Sequence, residues 1–185
     1  MARIHQQTLG NTGVSVSQLG FGGAPLGNLY SALSDDQAEA TVHRAVETGV
    51  RYFDTAPYYG HGLSEHRLGS ALRSIPRDDY VISTKVGRLL QPADPKTIPM
   101  NLFPDCLPFK PVFDYSYDGV MRSIDDSLQR LGTHRIDIIF IHDVDHWTHG
   151  DEAGQRFREV MDGGYKALTE LRSQGVIKAI GCGLN

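Results

Sequence analysis

The stretch Arg51-Tyr52-Phe53-Asp54-Thr55-Ala56-Pro57-Tyr58-Tyr59-Gly60 reads as a short buried strand, Tyr52 to Phe53, that ends on a carboxylate and breaks into a Pro/Gly loop. In an α/β sheet or barrel, chemistry collects at the C-terminal ends of the parallel strands, so Asp54 is a candidate functional group. Two tyrosines follow, and Tyr59 lies close enough in sequence to fold back over the strand end. A plainer reading makes Asp54 an N-cap and the tyrosines loop filler. Two further strands that also end on titratable side chains decide between these readings.

Upstream, Ser34-Asp35-Asp36-Gln37 is a capping-box pattern with Ser34 as N-cap and Gln37 at the third helical position. Ala38, Val42, Ala45 and Val46 recur at helical spacing, and Gly49 ends that helix just before the strand. Gln18 to Gly23 is a small strand running into a glycine cluster, where backbone can approach a ligand closely or where a strand simply breaks. The opening, Ile4 to Leu9, Gly10-Asn11-Thr12-Gly13 and Val14 to Ser17, predicts a β-hairpin.

Downstream, Ser64 to Leu72 predicts a second short helix, and His61 and His66 beside it are expected as surface or loop histidines. Tyr80 to Val86 is a β-branched strand carrying Lys85 at its end. Residues 88–113 form a long, proline-bearing segment without a sustained period, a lid or substrate wall unless it is a bare surface insertion. Tyr117 to Leu131 is helical, with Val120, Ile124, Leu128 and Leu131 on one face. Asp125 and Asp126 lie about 100° apart around it and read as solvated charges. Ile136 to Ile141, the most apolar strand, ends on His142. Phe157, Val160, Met161, Leu168 and Leu171 mark a last long helix interrupted at Gly163-Gly164. Val176 to Ile180 then leads into Gly181-Cys182-Gly183-Leu184-Asn185. Five core strands alternate with helices, without a linker or an internal repeat, which predicts a parallel sheet with right-handed crossovers.

Hydrophobic residues at 40% and charged residues at 22% are globular proportions over 185 residues, and argue against disorder. A net charge of −4 without a basic stripe gives no reason to expect nucleic acid as a partner. No apolar run approaches the roughly 20 residues of a membrane span. Met1 to Gln7 lacks the apolar core of a secretory signal. Cys106 and Cys182 stand far apart and suggest no disulfide framework. A reduced, cytoplasmic enzyme is the expectation.

Three successive strands end on Asp54, Lys85 and His142, with Tyr59 just beyond the first. In a parallel barrel these four side chains can converge on one face. Their chemistry is complementary. A tyrosine, with an ordinary pKa of about 10, is a poor proton carrier at neutral pH unless a nearby ammonium favours its phenolate. A buried lysine tends to lose its charge, and a carboxylate such as Asp54 keeps it. A histidine can orient a carbonyl or hydroxyl toward the tyrosine. The set suits acid/base interconversion of a carbonyl and an alcohol, with the hydride coming from a cofactor because no side chain supplies one.

The pattern D-T-A-x-x-Y-G from Asp54 to Gly60, the strand-end Lys85 and the apolar strand into His142 resemble the aldo-keto reductase superfamily, over the whole chain from the hairpin to Asn185. The resemblance implies a (β/α)8 TIM barrel that binds NADP or NAD without a Rossmann fold. It implies Tyr59 as proton donor, Lys85 and Asp54 as the groups that tune it, and His142 as the group that orients substrate. Ile180 to Asn185 matches the place where the family grips the nicotinamide carboxamide. Many members carry Ser-Asn where this chain has Leu184-Asn185, so one hydrogen bond of that grip is expected to be missing. Gly23 and Ala24 match a backbone position near the cofactor. A finer resemblance, carried by Pro57 to Gly60, Phe113 to Ser116, His142 to Asp145 and Thr148 to Gly150, is to the family's aldose dehydrogenase branch, which includes threo-aldose (L-fucose) 1-dehydrogenases and pyridoxal 4-dehydrogenase. That branch implies oxidation of a cyclic hemiacetal to a lactone, with Tyr59 taking the hydroxyl proton. A general aldehyde or ketone reductase of the same superfamily is the alternative, and a non-catalytic cofactor-sensing subunit is a further one.

His142, Asp143, Asp145, His146 and His149 could hold zinc in a barrel hydrolase, but they share one loop and the paired histidines such enzymes carry on an early strand are absent, so no metal is expected. Five core strands fall short of the eight, in about 250 residues, of a closed barrel. The expectation is therefore that residues 1–185 are a C-terminally truncated oxidoreductase domain, which alone neither binds cofactor tightly nor turns over.

Overall fold

The computed structural model describes residues 4–99 and 102–185. The start of the opening stretch (residues 1–3) and residues 100–101 of the long segment lie outside the described residues.

The opening hairpin forms as expected, with β1 (Gln6–Thr8) antiparallel to β2 (Ser15–Ser17). Five strands then make one parallel sheet in chain order: β3 (Phe21–Gly22), β4 (Tyr52–Asp54), β5 (Val81–Val86), β8 (Ile138–His142) and β9 (Ala179–Gly183). Helix α1 (Asp35–Glu47) follows β3, and the Ser34–Gln37 capping box closes its N-terminus. Helix α2 (Leu63–Leu72) follows β4, and α3 (Tyr117–Leu131) precedes β8.

Alternation along the strands sorts the side chains between two environments. Phe53, Ile82, Val86, Ile139 and Ile141 join the helix-facing core with Val42, Leu68, Leu72, Val120, Ile124 and Leu168. At about 1.5–3 kcal/mol for each fully buried large apolar side chain, this cluster is the principal stabilising layer. The intervening residues, Asp54, Ser83, Lys85, Ile138, Phe140 and His142, face the other way. The hairpin closes the N-terminal end of that inner side: Val14 and Val16 pack with Ile138, Ala179, Tyr52, Val81 and Phe140.

The structure departs from the sequence expectations in several places. The 88–113 segment is an antiparallel ribbon at its base, β6 (Arg88–Pro92) against β7 (Phe109–Phe113), rather than an aperiodic loop. Pro111 obscures the strand pattern, yet an isolated two-stranded ribbon tolerates it. The last long helix is interrupted at Gly163-Gly164 as expected, running through α5 (Ala153–Glu159), a π-helical turn (Val160–Gly164) and α6 (Tyr165–Ser173), but a short α4 (His146–His149) that was not expected precedes it. Phe157 and Met161 remain exposed there. The strand expected from Ile136 begins at Ile138, because Asp137 instead turns inward to accept from Arg77 Nη2 at 2.6 Å and from the Ile82 N–H at 3.0 Å. His61 lies in a turn, within the surface-or-loop expectation, but it is buried there. It is 5% exposed, at a left-handed φ of 55°, beneath the long segment, whose Leu107 N–H donates to Gly60 at 3.1 Å. His66 is exposed, as expected.

Candidate active site

The inward positions at the C-terminal ends of β4, β5 and β8 bring Asp54, Lys85 and His142 to one mouth. Register places Asp54 beside Ser83, Lys85 beside Phe140 and His142 beside Gly183. Gly183 keeps the space above the sheet open, since a Cβ there would lie 3.1 Å from Lys85 Cε. Asp54 Oδ2 accepts from Lys85 Nζ at 2.6 Å, and its Oδ1 accepts from Ser83 Oγ at 2.6 Å. Lys85 Nζ also donates to the Thr55 carbonyl at 3.0 Å. Burial works against the Lys85 charge, but the Asp54 carboxylate and Tyr59 outweigh it, so this lysine stays protonated to above the ordinary lysine value.

Tyr59 does fold back over the strand end. Its ring centroid is 4.7 Å from Lys85 Nζ, and its ring meets that of His142 edge-on at 5.8 Å. The turn that carries it is held by backbone contact between Gly60 (φ 63°) and Gly27, with the Gly60 Cβ position 2.5 Å from the Gly27 carbonyl oxygen. Only glycine fits such an approach at that φ.

His142 is 6% exposed. Burial first, then the charges of Arg88 and Lys85, hold its pKa down to about 2. The imidazole is therefore neutral, and the 3.5 Å approach of its Nε2 to Asp143 Oδ2 is not an ion pair. Tyr115, wholly buried, donates from its hydroxyl to the His142 carbonyl at 2.7 Å and fixes the strand end from behind.

Tyr59, Lys85 and His142 line a cavity of about 330 Å³ together with Ala24, Tyr30, Tyr58, Phe103 and Asn185, while Asp54 reaches it only through its ion pair with Lys85. Leu102 and Phe103 come from the 88–113 segment, which serves as a wall of the cleft. Of the residues singled out for the cofactor, Ala24 and Asn185 reach the cavity. Gly23 sits behind it, its N–H on the Asp54 carbonyl at 2.7 Å and its carbonyl accepting from Ser64 Oγ at 2.7 Å. The Asn185 side-chain amide donates to Asp143 Oδ1 at 3.0 Å. A hollow of about 350 Å³ bordered by Ile4, Gln6, Gly49, Arg51 and Asp79 holds none of these groups.

Sequence reasoning missed Ser83 and Arg88, and it named Asp143 and Tyr115 without giving them the contacts they make here. Ser83 lies two positions before Lys85 on the same strand, so period-two alternation could have found it. Arg88, Asp143 and Tyr115 carry no such local signal, since they meet only across the fold. Among the described residues no group of three or more His, Cys, Asp or Glu gathers closely enough to hold a metal. Asp143 is engaged by Arg88, Asp145 caps α4 through the Thr148 N–H, and His149 bonds Tyr115.

Comparison with known proteins finds relatives over most of this chain. The chain is 47% identical to a pyridoxal 4-dehydrogenase from Microbacterium luteolum, over 97% of its own length and 55% of the relative's. It is 42% identical to a D-threo-aldose 1-dehydrogenase from a Pseudomonas species (92% and 51%) and 37% identical to an L-galactose dehydrogenase from Arabidopsis thaliana (98% and 49%). It thus spans about half the length of these relatives. Among solved structures, an aldo-keto reductase from Bacillus halodurans in its holo form superposes with a TM-score of 0.73 at 27% identity, covering 98% of this chain and 51% of that one. Another from Pseudomonas aeruginosa gives 0.70 at 30% identity, covering 98% and 62%. The five parallel strands and their helices are part of that family's TIM-barrel architecture. With the Aldo/keto reductase family model matching residues 18–184, the chain belongs to the aldo/keto reductase family.

Proposed function

We propose that the protein is an NAD(P)-dependent dehydrogenase that oxidises a cyclic hemiacetal, of an aldose or of pyridoxal, to a lactone, with Tyr59 as general base. The observation that carries this reading is the charged Lys85, ion-paired to Asp54 at 2.6 Å and 4.7 Å from the Tyr59 ring, with a neutral His142 edge-on to the same ring. The relatives named for pyridoxal, D-threo-aldose and L-galactose support the substrate class, because each compound pairs an aldehyde with a hydroxyl able to close on it.

The residues present fit a nicotinamide: the cavity is open above Gly183, and Asn185 offers a side-chain amide at its rim that can pair with a carboxamide. That group, when bound, accepts the hydride released from the substrate carbon. Tyr59 takes the substrate hydroxyl proton as the carbonyl forms, with the Lys85 charge 4.7 Å from its ring. Asp54, itself held by the Ser83 hydroxyl, keeps Lys85 charged and in place. His142 orients the substrate oxygen as donor or acceptor; an uncharged imidazole can do either, whereas an imidazolium can only donate. Phe103, Tyr58 and Tyr30 give the sugar or pyridine ring apolar faces to rest on. A cytoplasmic setting belongs to this reading: both cysteines are free, and no described helix is long and apolar enough to cross a membrane.

The test is reduction of NAD+ or NADP+ by the full-length gene product with L-fucose, D-arabinose and pyridoxal, in wild type and in Tyr59→Phe. Turnover on at least one of them, lost in Tyr59→Phe with the fold intact, supports the proposal. Normal turnover of Tyr59→Phe would overturn it.

A further inference from the structure

Arg88 opens β6 directly after Gly87, which turns the chain off β5. Its guanidinium lies between two rings, 4.5 Å from the Tyr58 centroid and 4.5 Å from that of Phe113. The side chain is 7% exposed. Nη2 donates to Asp143 Oδ2 at 2.8 Å, and the buried Nη1 has no hydrogen-bond partner among the described residues. Asp143 is held at a left-handed φ of 49°, and its other oxygen accepts from Asn185. The Asp143 oxygen bound by Arg88 is also the one 3.5 Å from His142 Nε2. One buried carboxylate thus stands between a guanidinium and the imidazole. Unpaired, it would draw a proton onto His142; paired with Arg88, its charge is already matched.

We propose that Arg88 is a positioning residue for the reaction: by pairing with Asp143 it keeps His142 an uncharged imidazole facing the cleft. The inference rests on the reading of His142 as the substrate-orienting group. The charged and titratable groups around that ring are Lys85 from β5, Arg88 from β6, Tyr58 and Tyr59 from the loop after β4, Asp143 beside it, and Tyr115 with His149 and Asp145 behind. Of these, Lys85 and Arg88 disfavour the imidazolium, and Asp143 is the carboxylate in contact with the ring. Removing Arg88 withdraws one opposing cation and frees that carboxylate in the same step. Burial and Lys85 continue to oppose the charge, so the imidazole gains a proton only as the medium becomes acidic.

The experiment follows the His142 imidazole by NMR titration in the intact protein without cofactor or substrate, for wild type, Arg88→Met and Arg88→Met with Asp143→Asn. Methionine retains the apolar contact with Tyr58 and Phe113 while removing the charge. Wild-type His142 is expected to show no protonation over the accessible acid range. In Arg88→Met the midpoint rises by about two to three pH units, into that range, and in the double variant it falls back. His142 remaining neutral in Arg88→Met, or the double variant titrating like the single one, overturns the proposal. Arg88→Gln replaces Arg88→Met if the latter does not fold, with the same two outcomes. Because the titration needs no turnover, an inactive wild type would sink the dehydrogenase reading and leave the Arg88 result to be decided separately.

Discussion

Asp54→Asn isolates what keeps Lys85 charged. The carboxylate oxygen lies 2.6 Å from Nζ, which at an effective dielectric of about 20 corresponds to about 6 kcal/mol of attraction. The Asp54 side chain is 26% exposed, and solvent screening on that side reduces the usable part to about 3 kcal/mol. In the wild type the folded pKa lies above the unfolded 10.5, so the contribution to stability is complete below that value and is lost as pH rises through the folded one. In Asp54→Asn burial is no longer outweighed, and Lys85 is expected to titrate in the folded state below its ordinary value. Stability of the variant then rises with pH between there and the unfolded value, because only the unfolded chain still binds the proton. The assay is urea denaturation of both proteins across that window, in which the stability gap should narrow by about 2–3 kcal/mol. A gap independent of pH would show that Asp54 does not hold the Lys85 proton.

Tyr59→Phe should lose about 10²–10⁴-fold in turnover, with an unchanged denaturation midpoint, as measured by steady-state kinetics beside urea unfolding. Gly60→Ala forces a Cβ into the left-handed region and against the Gly27 carbonyl, and should cost about 2–4 kcal/mol in urea denaturation while displacing Tyr59. Glu65, wholly buried, accepts from Arg130 Nε at 2.6 Å and Thr84 Oγ1 at 2.7 Å. Glu65→Leu should destabilise by about 3–5 kcal/mol, and adding Arg130→Met should restore part of that loss.

Much of the fold was legible because each signal is local. The Ser34 capping box, the Val120/Ile124/Leu131 face and the apolar run into His142 are written in consecutive residues, and the structure places α1, α3 and β8 there within two residues. The π-helical turn at Gly163-Gly164 was visible only as an interruption, since its cause is contact with the backbone of Tyr115 and Ser116. The β6–β7 ribbon was hidden because its partners are separated by the whole 93–108 excursion and one of them contains Pro111. His61 read as a loop histidine, and only the packing of residues 103–107 over Gly60 buries it.

Consecutive residues are enough to say which chemical groups stand at strand ends, Asp54, Lys85 and His142, and that Tyr59 follows the first of them on a glycine-bound loop. Strand alternation and parallel βα order are sufficient for that, because strand ends on one sheet face one mouth. The protonation of Lys85 and His142 is settled only once the strands have come together. Whether Lys85 stays charged depends on an Asp54 oxygen 2.6 Å away on the neighbouring strand. Whether His142 stays neutral depends on burial and on cations brought from β5 and β6. Charge in a buried site is governed by distance and local dielectric, and neither quantity exists until the chain has folded.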